Sequence, residues 1–447
     1  MTILAHGIGG ASDLPIPLTY ALIGAAWALT FSFGILVFAW REPRLNPRSP
    51  GFALPPAFRA VVDAPLARVF LAAVSLVGTA LVLAIALLGQ RDSALSPVPG
   101  VLYIFLWVGV PVVSLVLGPV WQVISAPRAI HRALCAVLGR PLDRGVVRYP
   151  ESWGQWPAAV GLFTFVWLEL AYSEPSSLAA VTTWLIGYLA VTTVGLIVCG
   201  TAWAENADPL EVYSSLLGRS SALGRRDTGE LVLRSPLANL AGTPVRLGGV
   251  AVAATLLGST AFDSFSSFPF WRALLADAGS GSGGSSILPT LIRTLGLLGF
   301  IVFVGGIFVL AARATGGLTP LDRKLIPGRL AHSLTPIIAG YIVAHYLTFL
   351  VEKGQATVIL FADPFDQGWD LAGLADRDVA YLLSTHPALL GTIKVLAVLL
   401  GHIVGVALAH DRCLRLLPRA HRLSGQLALM LTMVGFTFTG LYLLFEA

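Results

Sequence analysis

The chain has 447 residues, of which 56% are hydrophobic and only 12% are charged, and its formal net charge is +5. Soluble domains carry about a quarter charged residues, so this composition excludes a soluble globular protein and indicates a membrane protein. Three cysteines, Cys135, Cys199 and Cys413, are too few and too scattered for a disulfide framework or a zinc knuckle.

Ten apolar segments follow one another along the chain. A helix needs about 20 mainly apolar residues to cross the hydrocarbon core of a bilayer. The segments are Leu18–Trp40, Val69–Leu88, Val101–Val123, Trp156–Tyr172, Leu178–Cys199, Leu247–Ala261, Leu288–Ala312, His332–Val351, Leu389–Ala409 and Leu423–Leu444. The fourth carries a glutamate and the sixth is short, which makes these two the weakest. No segment alternates with the period of barrel strands. The sequence predicts an all-α polytopic helical bundle, a single transmembrane domain over residues 1–447 with about ten transmembrane helices.

The basic residues predict the orientation. If the N-terminus lies outside, 23 of the 29 Lys and Arg residues fall in inner loops. Cytoplasmic loops carry such an excess, so both termini are predicted to be extracytoplasmic in a bacterial plasma membrane. The same asymmetry accounts for the positive charge without a nucleic-acid partner. The lipid bilayer is the predicted partner, and the sequence identifies no protein partner.

Two connections have features of their own. The inner loop 200–246 contains Asp208-Pro209-Leu210-Glu211, in which an N-cap precedes a proline and an acid stands three residues after the cap. Apolar residues then recur at helical spacing, which predicts a short helix on the cytoplasmic face of the membrane. The outer loop 355–387 is long, acidic and aromatic, and we interpret it as a lid or a re-entrant segment.

Ionisable residues inside the predicted spans are candidates for function because they are costly in lipid. They are Glu169, Arg293, His345, Lys394 and His402. Asp263 is predicted to cap the outer end of the sixth span, and Asp363 and Asp370 belong to the outer loop, as His6 and Asp13 belong to the outer N-terminus. Together these groups predict a polar cavity that opens outward. The alternative is structural: the histidines bond neighbouring helices, Glu169 pairs with Arg293 or Lys394, and the loop aspartates form caps and turns.

Three kinds of chemistry fit such a cavity. His345, His402, Asp263 and Glu169 could hold a divalent metal such as Zn²⁺ or Mn²⁺ that activates a bound water. The two histidines could instead hold a haem, which is the second choice of cofactor. The ionisable groups could also relay protons in a transporter. No metal motif with tight spacing is present, so the metal prediction depends on residues that converge in the fold.

Several blocks of the sequence occur as an ordered series. They are Ala5-His6-Gly7, Asp13-Leu14-Pro15, Glu211-Val212-Tyr213, Leu231-Val232-Leu233-Arg234-Ser235-Pro236-Leu237, Gly258-Ser259-Thr260-Ala261-Phe262-Asp263, Ala344-His345-Tyr346, Gly354-Gln355, Asp363-Pro364-Phe365, Gly368-Trp369-Asp370 and Gly401-His402. In these blocks the chain resembles a group of bacterial polytopic membrane proteins, common in actinobacteria, that carry the label fenitrothion hydrolase. It departs from the group at Asp366-Gln367, where a glycine-containing turn is expected, and at Leu371-Ala372-Gly373-Leu374, where a Phe-Gly-Thr run is expected.

The resemblance implies a membrane-embedded hydrolase of apolar aryl phosphotriesters. In that hypothesis the substrate partitions into the bilayer, and Arg293, Lys394, Asp363 and Asp370 bind or stabilise the reacting groups beside the metal. Two alternatives remain from the residues alone: a multi-pass permease, favoured by the helix number and the intramembrane charges, and a metal- or haem-handling accessory protein of the respiratory membrane, favoured by the histidines.

Overall fold

The computed structural model describes residues 14–281, 286–422 and 424–446, and helices dominate them. The first half contains α1 (Leu18–Ala39), α2 (Pro56–Asp63), α3 (Pro65–Leu88), α4 (Val98–Gly100), α5 (Val110–Leu117), α6 (Trp121–Ile124), α7 (Ala126–Leu138), α8 (Trp156–Leu170), α9 (Leu178–Cys199), α10 (Thr201–Asn206) and α11 (Pro209–Gly218). The second half contains α12 (Pro236–Ala241), α13 (Gly249–Ser266), α14 (Pro269–Gly281), α15 (Ile287–Arg313), α16 (Pro320–Leu330), α17 (Thr335–Thr348), α18 (Gly354–Leu360), α19 (Pro387–Leu416) and α20 (Leu427–Glu446).

Eight helical segments in this described part are long and apolar enough to cross a membrane, which confirms the all-α polytopic bundle. They are Leu18–Ala39, Pro65–Leu88, Val98–Leu117, Leu178–Cys199, Ile287–Arg313, Pro320–Leu360, Pro387–Leu416 and Ser424–Glu446. The two weakest predicted spans also form helices, α8 with 15 residues and α13 with 18. Neither is among the eight, so the number ten stays a prediction.

The centre of the bundle is α13, which packs against α8, α15, α17 and α20. Most of its residues from Val252 to Ser264 are buried. Because protein rather than lipid surrounds this helix, it can include small and polar side chains such as Ser259, Thr260 and Asp263.

The crossing of α17 and α19 depends on small residues. A Cβ atom at Gly340 of α17 would collide with the carbonyl oxygen of Ala397, and one at Gly401 of α19 would collide with the carbonyl oxygen of Pro336. Small residues let membrane helices approach closely in this way. The crossing sets the positions of His345 on α17 and of His402 on α19.

Two spans contain irregular helical turns. Wide, π-helical turns over Val101–Gly109 join α4 to α5, and similar turns over Phe349–Lys353 join α17 to α18. Such turns are frequent at functional sites. The first of these spans ends at Leu117 rather than at the predicted Val123, because Gly118 takes the left-handed region with φ 84° and Pro119 follows it.

The cap predicted for the inner loop is confirmed, whereas the position of its helix at the cytoplasmic face stays a prediction. The side chain of Asp208 accepts hydrogen bonds from the backbone N–H groups of Leu210 and Glu211 at the start of α11. However, most of α11 is buried, and it packs against α5 and α8 inside the bundle. Its Glu211 forms a bidentate ion pair with Arg128 of α7, which compensates the buried charge.

Three short strands, β1 (Phe52–Ala53), β2 (Leu223–Arg225) and β3 (Leu231–Leu233), form an antiparallel sheet in the order β1-β3-β2. Leu233 is paired with Phe52 on one side and with Leu223 on the other. The sequence analysis did not predict this sheet. It fastens two loops on the arginine-rich side of the bundle to each other.

Candidate functional site

A buried histidine–aspartate pair joins the two central helices α13 and α17. His345 Nε2 lies 2.7 Å from Asp263 Oδ2, and the two side chains are 6% and 1% exposed. Nδ1 of the same imidazole is buried and has no hydrogen-bond partner among the described residues. The ring of Tyr346 stands edge-on to the imidazole at 4.7 Å between centroids. Asp263 is therefore not the helix cap that the sequence predicts, because its side chain turns inward to α17.

Glu169 of α8 lies within electrostatic range of Asp263. Its Oε2 atom is buried and has no hydrogen-bond partner in the described chain, and no ion pair with Arg293 forms there. The predicted structural pair Glu169–Arg293 is therefore wrong. Asp263, His345 and Glu169 are the predicted residues that the fold brings together, and we call them the polar cluster.

An aromatic layer lies between the polar cluster and the rest of the bundle core. Trp107 stacks on Phe165 at 4.3 Å and contacts Tyr213 at 5.0 Å between ring centroids. Together with Tyr346, Trp107 and Tyr213 line a residual space of about 10 Å³, which has room for little more than one water. These packed rings adjoin the polar cluster, in which Asp263 and His345 are buried.

The other intramembrane candidates lie on α15 and α19. Lys394 and His402 are both on α19, where they are 1% and 0% exposed. His402 Nδ1 lies 2.9 Å from the carbonyl oxygen of Val398, and its ring is edge-on to Tyr341. Arg293 on α15 is partly buried. His6 and Asp13 lie outside the described residues.

The two outer-loop candidates organise turns. The carboxylate of Asp363 accepts hydrogen bonds from the backbone N–H groups of Gln367 at 2.8 Å and Gly368 at 2.7 Å. These bonds lower the pKa of Asp363 below its ordinary value. Asp370 accepts the N–H of Ala375 at 2.8 Å. Both contacts agree with the alternative prediction that these aspartates form turns. The catalytic role of the two aspartates stays a prediction.

Two residues that the sequence analysis missed fasten the outer loop to the bundle. Glu352, buried in the π-helical turns that follow α17, accepts the backbone N–H of Ser384 at 2.8 Å and its hydroxyl at 2.6 Å. Gln355 exchanges two hydrogen bonds with the backbone of Ala380. The C-terminal part of the loop is thus held against the helical turns from which the loop starts. No pattern in the sequence links Glu352 to Ser384, which lies 32 residues away.

The described side chains do not form a metal site in this geometry. Among them, no group of three His, Cys, Asp or Glu residues is arranged to hold an ion. His345 and Asp263 direct their ligating atoms at each other, so neither faces a shared metal position. The predicted divalent metal and the haem therefore stay predictions.

A large cavity of about 1400 Å³ lies on the arginine-rich side of the bundle, which the sequence analysis predicts to be cytoplasmic. Its apolar wall includes Leu71, Val74, Gly78 and Val82 of α3 and Phe105, Gly109 and Val113 of the next span. Its polar end includes Arg219, Arg234, Arg246 and Glu205. We call it the inner cavity. Sequence reasoning missed it because its residues come from many distant segments, and it differs from the outward-opening cavity that was expected.

Comparisons with family models, with curated proteins and with solved structures found no match. The geometry of the polar cluster and of the inner cavity therefore carries the functional argument.

Proposed function

We propose that the protein is a membrane permease that couples the movement of a small molecule to protons. The observation that carries this proposal is the inner cavity, which opens toward one side of the bundle and lies beneath the aromatic layer. Binding cavities for small molecules measure roughly 300–1,000 Å³, so a cavity of about 1400 Å³ has room for a substrate.

The inner cavity and the polar cluster lie along the same helix. Val252 and Ala253 of α13 line the inner cavity, Leu256 and Leu257 line the small space at the aromatic layer, and Asp263 follows about two turns later. Ten residues of α-helix correspond to about 15 Å along the axis. A substrate that enters from one side therefore meets closed packing before it reaches the ionisable groups, as alternating access requires.

The polar cluster supplies groups that can carry a proton. Asp263 and His345 are buried, and the partly buried Glu169 lies within electrostatic range of Asp263. Ionisable groups placed in this way mark proton relays in pumps and transporters. A proton on the cluster neutralises buried negative charge, which couples protonation to the packing of α8, α13 and α17.

Uptake into proteoliposomes tests the proposal. With a pH gradient of one unit, we expect purified protein to accumulate radiolabelled decanesulfonate, whose head group stays ionised at every working pH. Asp263→Asn should remove the dependence of uptake on the pH gradient, because it removes a proton site while keeping the shape. The matched control is Glu174→Gln, which neutralises an exposed loop acid. Uptake that ignores the gradient in the unmodified protein, or gradient-driven uptake in Asp263→Asn, would contradict proton coupling.

A second candidate is the hydrolase that the resemblance implies. The specific observation in its favour is that Asp263 orients His345 while leaving Nδ1 without a partner, as in an imidazole general base. In this reaction the oxygen of a water attacks phosphorus, the water proton passes to Nδ1, and the phenolate leaves an apolar aryl phosphotriester. The substrate would reach the pair through the bilayer after the aromatic layer opens.

Release of 4-nitrophenolate from a nitrophenyl phosphotriester tests this second candidate. We expect turnover by detergent-purified protein to disappear in His345→Ala and to persist in His386→Ala, which alters an exposed histidine. Equal turnover in both variants would remove His345 as the base. No turnover from folded protein, with Zn²⁺ or Mn²⁺ supplied, would leave the permease as the better proposal.

A further inference from the structure

The walls of the inner cavity divide into a hydrocarbon part and a cationic part. The hydrocarbon part lies between α3 and the Val98–Leu117 span. In α3 only 11% of the apolar window is buried inside the bundle, so this helix borders both the cavity and the lipid. Apolar walls of this kind favour burial of hydrocarbon from the ligand.

The cationic part contains Arg219, whose guanidinium has neither a hydrogen-bond nor an ion-pair partner among the described residues. Arg219 follows the last residue of α11. The other arginines around it are engaged. Arg234 donates hydrogen bonds to Asn239 and to the carbonyl oxygen of Pro47. Arg246 donates a hydrogen bond to Asn206 and lies 3.6 Å from Glu205. Arg225 and Arg329 pair with Asp63 and Asp322.

The surroundings of Arg219 are unfavourable for an uncompensated cation. Burial is the main cause that lowers the pKa of the Arg219 guanidinium, and the positive charges of Arg234 and Arg246 lower it further. Glu205 is the carboxylate at this end of the cavity, and Arg246 already faces it. A bound anion would supply the missing charge, and the guanidinium fork suits the oxygens of a sulfonate, phosphate or carboxylate.

We propose that the inner cavity binds an anionic amphiphile, with its single hydrocarbon chain between α3 and the Val98–Leu117 span and its anionic head on Arg219. The short helix α2 places Phe58 and Val62 at the same edge of the cavity, 50% and 39% exposed. This apolar edge lets a chain enter sideways from the adjoining leaflet. That an anionic amphiphile is the substrate of the permease rests on the proposed function. That it binds in the inner cavity does not.

Titration of delipidated protein in maltoside micelles with decanesulfonate tests the site. We expect Arg219→Gln to weaken binding about tenfold, since loss of one partly buried ion pair corresponds to roughly that factor. Arg323→Gln is the matched control, because Arg323 is exposed on the same side and does not line the cavity. Equal affinity in both variants, or an equal loss in both, would overturn the role of Arg219.

The hydrocarbon part has its own test, which does not depend on the charge. A Cβ at Gly78 of α3 would meet no atom within 4 Å, so Gly78→Leu adds bulk to the cavity without a clash. Binding of decanesulfonate should fall at least tenfold in this variant. Gly187→Leu on α9 is the control, since its Cβ also meets nothing and the residue is not in the cavity. Unchanged binding in Gly78→Leu would overturn the placement of the chain.

Competition identifies the source of the amphiphile. Displacement of decanesulfonate by phosphatidylglycerol would assign the site to a lipid head group, whereas displacement by free alkyl phosphate alone would assign it to a soluble amphiphile. The binding experiment contains no membrane gradient. Binding that depends on Arg219, without uptake into proteoliposomes, would therefore contradict the permease and support the site. Uptake that does not change in Arg219→Gln would support the permease and contradict the site.

Discussion

Backbone conformation at two residues of the outer loop is unusual for their side chains. Asp366 and Ala372 have φ values of 56° and 60°, in the left-handed region that favours glycine. These are the positions at which the chain departs from the glycine-containing blocks of the group that it resembles. An alanine in this region costs roughly 1–2 kcal/mol relative to its preferred conformation.

We therefore expect Ala372→Gly to stabilise the outer loop. The relief of strain exceeds the added entropy of glycine, so the net gain should be up to about 1 kcal/mol. Amide hydrogen exchange over residues 361–386 measures it, and protection should rise. Ala375→Gly in the same loop is the control, because Ala375 has no positive φ and glycine there should lower protection. Lower protection in Ala372→Gly would contradict the account of strain.

Local contacts could be predicted from the sequence at this scale, and distant ones could not. Asp208 was identified as an N-cap because the residues that it bonds follow it directly in the chain. Asp263 was assigned to a cap for the same reason, yet its partner His345 lies 82 residues away. His410 is likewise buried, and its two ring nitrogens contact Gln426 and the carbonyl oxygen of Trp40, which lie 16 and 370 residues away in the chain.

At the level of a single helix, burial of α11 makes the stability of the folded protein depend on pH through Asp208 at its N-cap. Burial raises the pKa of Asp208 to about 7, and the nearby charge of Glu211 contributes to the rise. The folded state therefore binds a proton at Asp208 more tightly than the unfolded chain does. The resulting stabilisation is complete below the ordinary pKa of an aspartate and is lost as the pH rises through about 7.

Asp208→Asn should remove this dependence, because asparagine keeps the helix cap and cannot ionise. Between pH 5 and pH 8 we expect the melting temperature of the unmodified protein to fall relative to that of the variant. The difference corresponds to a change on the order of 2 kcal/mol. Asp63→Asn is the control, since Arg225 lowers the pKa of Asp63 and its titration lies below this range. Parallel curves for Asp208→Asn and the unmodified protein would show that Asp208 is ionised throughout.

Over the whole molecule, hydropathy predicted the spans that face lipid and was least certain for those that face protein. The window of α1 is 28% buried and that of α3 is 11% buried. The prediction for α1 is within one residue at each end, and the prediction for α3 has the correct end and begins four residues late. By contrast, α8 and α13 lie among other helices, where selection for apolar length is relaxed. The inner cavity could not be predicted because its lining comes from segments that only the tertiary fold brings together.

The arrangement of α8 and α13 also decides the number of crossings. A 15-residue helix extends about 22 Å, less than the roughly 30 Å of a hydrocarbon core, so α8 can cross only where protein surrounds its ends. Its buried residues are Ala158, Ala159, Leu162, Phe165, Val166 and Leu168, which pack one face of α8 against the bundle, whereas Trp156 at its start is 52% exposed. For α13 the length is about 27 Å and burial is nearly complete. We therefore expect both helices to cross the membrane, which makes ten.

Single cysteines at exposed positions outside the two helices measure this in intact cells, because the native cysteines are buried and give little background. A membrane-impermeant thiol reagent should label Glu174→Cys, after α8, and not Arg140→Cys, before it. It should also label Arg272→Cys, after α13, and not Asp227→Cys, before it. All four positions are exposed, so differences in labelling report the side of the membrane rather than burial. Equal labelling within either pair would mean that the helix between them does not cross. The inner cavity, whose lining includes residues on both sides of α8 and α13, would then lack the single-sided opening on which the permease depends.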